Sequence, residues 1–312
     1  MKILLTGATG FLGSRLANVL VNCVDVDLTA AVRRSVAGLP GRSAKVDALD
    51  GDTDWRAVLS GQQIVIHAAA RAHVMKDSAP DPLAEYRRIN VDGTLNLARQ
   101  AAEAGVKRFV FISSIKVNGE ETPKGHPFSA DSIPDPQDDY GISKWEAEQG
   151  LAQIASETGM EFVVIRPTLV YGPSVKGNFA KLITLLDKGF PLPFGAIHNQ
   201  RSLVALDNLI DLIMTCADHP KAKNQVFLAS DGADVSTTTL LRELASTMGK
   251  SARLVPVPES WLMFGAKLLG KEAVAQRVLG SLQVDISKAQ DLLGWQPPLT
   301  VREGLSRCFE PK

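Results

Sequence analysis

Short apolar runs and segments with helical spacing alternate along the first half of the chain. Runs rich in β-branched and aromatic residues predict strands at residues 2–6, 26–32, 45–48, 64–67, 107–113 and 162–166. Helices are predicted at 11–21 and 82–104, the longer one with Asp81 as its N-cap and Gly105 as its stop. Such repeated strand–helix units predict a parallel sheet covered on both faces, with ligands at the carboxyl ends of its strands.

The alternation weakens after Pro167, where proline and glycine become more frequent. A helix is predicted at residues 207–217 and a strand at 225–229, so the chain is expected to rejoin the main sheet around residues 203–229. The predicted fold class is α/β, with a Rossmann-type doubly wound parallel sheet over residues 1–170. Residues 171–202 and 230–312 are expected to form a smaller, mostly C-terminal substrate-binding lobe.

Composition narrows the class of protein. Of the 312 residues 45% are hydrophobic, and Lys+Arg and Asp+Glu both count 34, so the formal net charge is zero. The chain therefore has no overall excess of positive charge of the kind that binds nucleic acid or an anionic membrane, and no apolar run is long enough to cross a bilayer. Three widely spaced cysteines show neither a disulfide framework nor metal-ligand spacing, so we expect a cytoplasmic protein without a metal.

A glycine motif joins the first predicted strand to the first helix. Gly7, Gly10 and Gly13 follow a G-x-x-G-x-x-G spacing, with Thr9 and the pair Phe11-Leu12 between them. Glycines at such a turn permit close approach of backbone N–H groups to a pyrophosphate, and the helix N-terminus adds favourable partial charge. The motif predicts a dinucleotide site.

The end of the second strand bears on which dinucleotide is bound. An NAD site usually has an acidic residue there for the ribose 2′-hydroxyl, whereas this chain has Arg33 and Arg34. Arg33 can grip a 2′-phosphate through its forked donors, which favours NADP(H). The alternative is that both arginines are solvated surface charges, in which case NAD(H) remains possible.

Tyr140 and Lys144 are four residues apart, so on a helix they share one face. A neighbouring ammonium is expected to lower the pKa of a phenol by roughly 1–3 units. Tyr140 would then pass a proton to or from a substrate oxygen near neutral pH.

Three other positions supply polar groups near predicted strand ends. Ser114 is placed to hydrogen-bond a reacting carbonyl, while Ser113 is expected to be structural. Asn90 is expected to bond backbone or to order a water in a proton path. His67 is expected to be a hydrogen-bonded residue at a strand end, and His73 is a candidate for the lining of a sugar pocket.

In combination these motifs resemble the extended short-chain dehydrogenase/reductase superfamily, in its NAD-dependent epimerase/dehydratase group acting on nucleotide sugars. The resemblance covers essentially the whole chain. It rests on Gly7/Gly10/Gly13, His67-Ala68-Ala69, Asn90, Ser113-Ser114, Tyr140/Lys144, the run from Arg166 to Pro173 and the run from Asp285 to Trp295.

The resemblance implies roles for individual residues. Tyr140 would be the acid/base, Lys144 would lower its pKa and bind the nicotinamide ribose, and Ser114 would hold the substrate oxygen. The remaining cofactor contacts would come from Asp47, Ala48, Ala68, Ala69, Asn90 and Pro167. The UDP-sugar would be bound by Lys116, Asn178, Phe179, Arg201 and Arg277, besides Ser114 and Tyr140. Family membership also implies a homodimer formed by the helices at 82–104 and 140–158 packing as a four-helix bundle.

Departures from the group narrow the expected activity. Sugar 4,6-dehydratases place Asp-Glu directly after the hydroxyl residue, where this chain has Ile115 and Lys116, so dehydration is not expected. The local sequence looks like a bacterial O-antigen branch whose members reduce the C4 ketone of a UDP-2-acetamido-2,6-dideoxy-hexos-4-ulose. We therefore expect an NADPH-dependent 4-ketoreductase that forms UDP-N-acetylquinovosamine or its C4 epimer.

Three alternatives stay open. The first is a UDP-hexose or UDP-N-acetylhexosamine 4-epimerase with tightly bound NAD. The second is a reductase of a small ketone, which would need no diphosphate-binding Arg201. The third is a dinucleotide-binding regulator without catalysis, which would not need the Tyr140/Lys144 pair.

Overall fold

The large sheet of the protein has seven parallel strands in the order β3-β2-β1-β4-β5-β6-β9. A computed structural model describes residues 1–72, 80–175 and 177–309. The strands are β1 Lys2–Thr6, β2 Asp27–Val32, β3 Arg42–Lys45, β4 Ile64–His67, β5 Arg108–Ile112, β6 Glu161–Pro167, β7 Leu169–Tyr171, β8 Arg201–Ala205, β9 Gln225–Ala229 and β10 Asp234–Val235. The predicted Rossmann-type α/β class is confirmed.

Helices cover both faces of this sheet. The helices of the described residues, in both lobes, are α1 Phe11–Val21, α2 Arg56–Leu59, α3 Pro82–Tyr86, α4 Gly93–Glu103, α5 Asp139–Thr158, α6 Gly177–Asp187, α7 Leu206–Asp218, α8 Thr237–Thr247, α9 Glu259–Leu268, α10 Glu272–Leu279, α11 Ser287–Leu293 and α12 Val301–Arg307. No helix in the described ranges is both long and apolar enough to cross a membrane.

Burial on both faces explains the continuous apolar character of the central strands. Ile3 and Leu5 of β1 face a core that includes Leu16 of α1 and Ile213 of α7. On the opposite face, Leu4 packs in a second cluster with residues of α4 and α5, among them Leu97, Ala101, Leu151 and Ile154. This layering fixes α1, α4 and α5 against the strands whose carboxyl ends carry the candidate site.

The strand order reverses between β1 and β4, because the chain runs outward to β3 and then returns to the other side of β1. Ligands of doubly wound sheets bind in the crevice at such a reversal. The glycine turn follows β1, and Ala68 and Ala69 follow β4, so both border this crevice.

The third strand was predicted at residues 45–48, and this placement was wrong because β3 spans Arg42–Lys45. Among the described strands this edge strand pairs with β2 alone, and most of it is exposed, so it lacks the apolar signal of the inner strands. The apolar residue that drew the prediction, Val46, is buried just beyond β3, and its N–H donates to Val32 O at 2.9 Å.

The long helix predicted at 82–104 is confirmed as a helical segment, but it is not α-helical throughout. Asp81 caps it by accepting a hydrogen bond from Ala84 N at 3.0 Å. A π-helical stretch, Arg87–Asp92, separates α3 from α4. Such wider turns are frequent at functional sites, and this one contains the buried Asn90.

A three-stranded sheet, β10-β8-β7, builds the smaller lobe. Its core includes Tyr171, Phe179, Leu203, Leu241 and Leu305. Residues 201–205 therefore form the middle strand of the small sheet. The next helix, α7, packs on the large sheet and β9 joins it as a strand, so the chain returns there from residue 206, slightly later than the predicted start near residue 203.

Candidate active site

The glycine turn is closed too tightly for side chains. A Cβ on Gly13 would lie 2.1 Å from Gly7 O, and one on Gly7, whose φ is +74°, would lie 2.7 Å from Ala69 N. A Cβ on Gly10 would meet only Gly7 O, at 3.2 Å. Thr9 and Gly10 are exposed, and Gly10 carries no side chain that caps α1. The first N–H groups of α1 are thus presented as donors, a set that fits a pyrophosphate.

The other predicted cofactor positions lie along the same strand ends. Arg33 directly follows β2 and is exposed, as is Asp47 after β3, while Ala48 is half-buried. Ala68 is half-buried, whereas Ala69 and Pro167 are buried. Together with the glycine turn, these positions fit a dinucleotide in an extended arrangement across the reversal of strand order.

His67 is hydrogen-bonded inside the protein, as predicted. Its Nδ1 lies 2.8 Å from Thr6 Oγ1 and its Nε2 lies 3.1 Å from Thr94 Oγ1. Burial, with a smaller contribution from Lys144, lowers the pKa of His67 to about 3. The ring is therefore neutral at physiological pH and holds strand ends together. His73 lies outside the described residues.

Helix α5 positions Tyr140 and Lys144. Asp138 starts the helix by accepting a hydrogen bond from Gly141 N at 2.8 Å. Lys144 is buried, and its Nζ donates to Ile112 O at the end of β5 at 2.9 Å. The same Nζ lies 5.9 Å from the centre of the Tyr140 ring. The predicted pair thus shares one face, with its ammonium tied to the strand end that leads to Ser114.

The protonation of this pair differs from the prediction. Burial lowers the pKa of Lys144 to about 7, although Glu148 opposes the shift. Burial, and then the negative charge of Asp138, raise the pKa of Tyr140 above its usual value of 10.0. The expected lowering of the phenol pKa is therefore wrong for these residues alone, because burial and the charge of Asp138 both raise it.

Ser114 lies just beyond β5, half-buried, and its Oγ accepts from Lys116 N at 3.3 Å. Lys116 Nζ forms ion pairs with Asp138 and, at 3.0 Å, with Glu120. The predicted substrate-binding lysine thus links the Ser114 turn to the N-cap of α5.

A buried network beneath the site was missed by sequence reasoning. Ser113 Oγ donates to Glu148, and Arg166 Nε donates to the same carboxylate at 3.0 Å. Arg166 Nη1 also donates to Asn118 Oδ1 at 3.0 Å. Glu148 lies four residues after Lys144, so the helical spacing that singled out Tyr140 and Lys144 also contained this signal.

Asn90 has a structural role in this geometry. Its Oδ1 accepts from Arg71 N at 2.8 Å, and its Nδ2 donates to Arg71 O at 3.1 Å and to Ser143 Oγ at 3.0 Å. The side chain joins the segment after β4 to α5. These hydrogen bonds match the expected backbone-bonding role of Asn90 rather than a direct contact with the cofactor.

The predicted nucleotide-binding residues of the smaller lobe fall into two groups. Asn178 is exposed near the start of α6, while Phe179 is buried and stacks on Tyr171 with ring centres 5.7 Å apart. Arg201 Nη1 donates to Gly280 O at 3.0 Å, and burial lowers the pKa of this arginine. Arg277 is exposed on α10, which ends next to Gly280.

The segment that follows Ser114 connects the site residues at the end of β5 with those of the smaller lobe. Thr122 N donates to Ser281 O at 2.9 Å, and the charge of Glu121 partly opposes the lowering of the Arg201 pKa by burial. The chain therefore runs from the end of β5, where Ser114 lies, to the turn beside Arg201.

Comparisons with known proteins agree with this geometry. The model of the "NAD dependent epimerase/dehydratase family" matches residues 3–229. A UDP-glucose 4-epimerase of Vibrio cholerae is 51% identical over 310 residues, covering 99% of this chain and 94% of that protein.

Two solved structures share the fold. A UDP-glucose 4-epimerase of Thermotoga maritima with UDP-glucose superposes with a TM-score of 0.77 at 24% identity, covering 99% of this chain and 97% of that one. A UDP-glucuronic acid 4-epimerase of Bacillus cereus in complex with NAD also gives 0.77, at 23% identity, covering 98% and 97%. The chain belongs to the NAD-dependent epimerase/dehydratase family and is an enzyme of the extended short-chain dehydrogenase/reductase type.

Proposed function

We propose that the protein is a UDP-hexose or UDP-N-acetylhexosamine 4-epimerase that keeps NAD bound through the reaction. The observation that carries this proposal is the arrangement of Tyr140, Lys144 and Ser114 around the end of β5, with no carboxylate in the two positions after Ser114. The 51% identity to the Vibrio cholerae UDP-glucose 4-epimerase supports an epimerase over the 4-ketoreductase expected from the sequence.

The chain holds the cofactor at one end of this site. The N–H groups of the Gly7–Gly13 turn receive the pyrophosphate, and Lys144 binds the nicotinamide ribose. When bound, NAD supplies the acceptor and donor of the C4 hydride and a positive charge beside Tyr140. Arg33 and Asp47 border the adenosine half without fixing a preference for a 2′-phosphate.

Proton transfer at the sugar O4 falls to Tyr140. Burial raises the pKa of Tyr140, so the phenol must first lose its proton to solvent, which a nearby positive charge favours. The resulting phenolate then accepts the O4 proton. Lys144, with a pKa of about 7, contributes part of that charge. Ser114 Oγ hydrogen-bonds O4 and orients it, and Tyr140 returns the proton once the configuration at C4 is inverted.

Recognition of the nucleotide falls to the smaller lobe. Arg201, anchored on Gly280 O, and Arg277 carry positive charge toward a diphosphate, and Asn178 adds an amide. Phe179 supports the start of α6 from the lobe core.

The test is interconversion of UDP-sugars without added cofactor. Purified protein should release NAD on acid denaturation and should convert UDP-glucose to UDP-galactose, or the N-acetylated pair, as followed by NMR. Tyr140→Phe should lower turnover by roughly 10²–10⁴-fold while the NAD content stays unchanged. The matched control is Tyr86→Phe, which removes a phenol whose ring centre lies 6.1 Å from that of Tyr140 and should leave turnover within a few-fold. Retained turnover in Tyr140→Phe would reject the assignment.

The second candidate is the NADPH-dependent 4-ketoreductase of a UDP-4-keto-6-deoxy-N-acetylhexosamine. The observation in its favour is the exposed Arg33 and Arg34 after β2, where no carboxylate is present. This function predicts stoichiometric NADPH oxidation with the 4-keto sugar and a loss of NADPH preference in Arg33→Ala. Cofactor-independent epimerisation, unchanged in Arg33→Ala, would instead decide for the epimerase.

A further inference from the structure

Helix α9 of the smaller lobe is apolar on nearly every side, yet none of its residues is buried. Trp261, Phe264 and Leu268 follow helical spacing on one face and are 74%, 67% and 73% exposed. Leu262 and Ala266, on the other face, are half-buried against the protein. A helix that is hydrophobic all round is normally buried in a protein core or in a membrane. We therefore expect the outer face of α9 to contact an apolar surface outside the lobe.

The exposed surface continues past the end of α9. Leu269 and Val274 are also exposed, and they carry the apolar surface from α9 onto α10. We call Trp261, Phe264, Leu268, Leu269 and Val274 the apolar patch. Contiguous exposed surface of this kind marks interaction with a protein or a membrane, whereas single exposed apolar residues do not.

Basic side chains select between these partners. Lys267 lies directly before Leu268, and Lys271 follows Leu269 two residues later; both are exposed, and neither forms an ion pair with a described residue. Lysine is depleted from the centres of protein–protein interfaces. By contrast, Lys beside Trp, Phe and Leu is typical of helices that lie in the headgroup region of an anionic bilayer.

We propose that the apolar patch seats the smaller lobe on an anionic lipid surface, with Lys267 and Lys271 reaching the headgroups. This inference goes beyond the epimerase function and rests on residues outside the site. The zero net charge of the whole chain does not oppose it, because binding depends on the local arrangement of charge. α10 ends beside Gly280, which accepts the Arg201 hydrogen bond, so the seated surface adjoins the wall of the candidate substrate site.

The experiment is co-sedimentation of the full chain with vesicles of phosphatidylcholine and phosphatidylglycerol, compared with phosphatidylcholine alone. The wild type should bind the anionic vesicles, and the triple variant Trp261→Ser/Phe264→Ser/Leu268→Ser should lose at least about tenfold in partition coefficient. Lys267→Glu/Lys271→Glu should weaken binding, and so should about 0.5 M salt. Trp fluorescence should shift to the blue on vesicle addition, and Trp261→Phe should abolish that shift.

Matched controls separate these effects from general surface changes. Ile133→Ser alters an apolar side chain that is 87% exposed elsewhere, and Lys221→Glu/Lys223→Glu makes the same charge change away from the patch. Both should bind vesicles as the wild type does. The proposal is overturned if the wild type does not bind anionic vesicles or if the triple variant binds them equally well. A triple variant that changes oligomeric state with unchanged vesicle binding would assign the patch to a second copy and overturn it too.

Discussion

Lys144 is the residue whose environment most shapes the site. Its ammonium is buried, and its Nζ has a backbone oxygen, Ile112 O, at 2.9 Å. Burial holds its pKa at about 7, compared with 10.5 for a solvated lysine. Between these values the unfolded chain binds more protons at this position than the folded chain, so the folded state becomes relatively more stable as the pH rises.

Lys144→Met tests this reasoning. The free energy of unfolding of the wild type, relative to that of the variant, should rise between about pH 7 and about pH 10, by at most ~1.4 kcal/mol per pH unit. Urea unfolding of both proteins at matched pH values measures the difference. A constant difference across this range would mean that Lys144 keeps an ordinary pKa in the folded protein.

Gly13 is the position at which a single methyl group should be least tolerated. Its Cβ would lie 2.1 Å from Gly7 O, which belongs to backbone and cannot move aside as a flexible side chain does. Gly13→Ala should therefore cost about 1–3 kcal/mol of stability and lower the NAD content of the purified protein. Gly265→Ala on α9 is the control, since nothing lies within 4 Å of the position that its new methyl group would take. That change should be neutral or stabilise by about 0.5–1 kcal/mol.

At the scale of elements, the buried pair of Glu148 and Arg166 joins α5 to β6. Both side chains are almost fully enclosed, and Arg166 Nη2 lies 2.5 Å from Glu148 Oε2. Glu148 also accepts a hydrogen bond from the Ser113 hydroxyl, and its charge opposes the lowering of the Lys144 pKa by burial. The pair therefore holds the helix of Tyr140 at a fixed distance from the Ser114 strand end.

Glu148→Gln and Arg166→Met should each cost roughly 3–5 kcal/mol, because each leaves a buried charge without its partner. The double variant should cost less than the sum, as a double-mutant cycle measures. Turnover of Glu148→Gln should also shift its pH profile to lower pH, since the Lys144 pKa loses its raising influence. The exposed pair Asp187–Lys250 is the control, with an expected coupling under about 1 kcal/mol. Equal couplings in the two pairs would contradict this role.

For the whole molecule, we propose a homodimer in which the helical segments at 82–104 and 140–158 of two copies pack together. Arg87 and Glu146 already join the two candidate bundle helices within one chain, with Nη2 and Oε1 2.5 Å apart. The exposed large apolar side chains of the described residues lie on other elements, with the apolar patch among them. A bundle interface would accordingly rely on small and polar contacts rather than on exposed large apolar side chains.

Gln149→Arg/Gln153→Arg places charge on the exposed side of α5 and should shift a dimer toward monomer in sedimentation equilibrium. The triple variant of the apolar patch should leave that equilibrium unchanged. A wild type that stays monomeric at high concentration would reject the bundle.

Features that rest on local pattern could be predicted from the amino-acid sequence. The inner strands, the N-cap at Asp81, the glycine turn and the shared face of Tyr140 and Lys144 follow from apolar periodicity, capping chemistry and backbone sterics. These effects act between residues close in the chain, so the local sequence is enough to predict the features that they produce.

Features that depend on residues distant in the chain became visible in the folded protein. The edge strand β3 has little apolar signal of its own, and the rise in the pKa of Tyr140 comes from burial by the surrounding fold. The Glu148–Arg166 network joins distant segments, and the exposure of α9 contradicts its apolar composition. Burial and desolvation are properties of the packed chain, which is why the charge states and the outward-facing surface appear only in three dimensions.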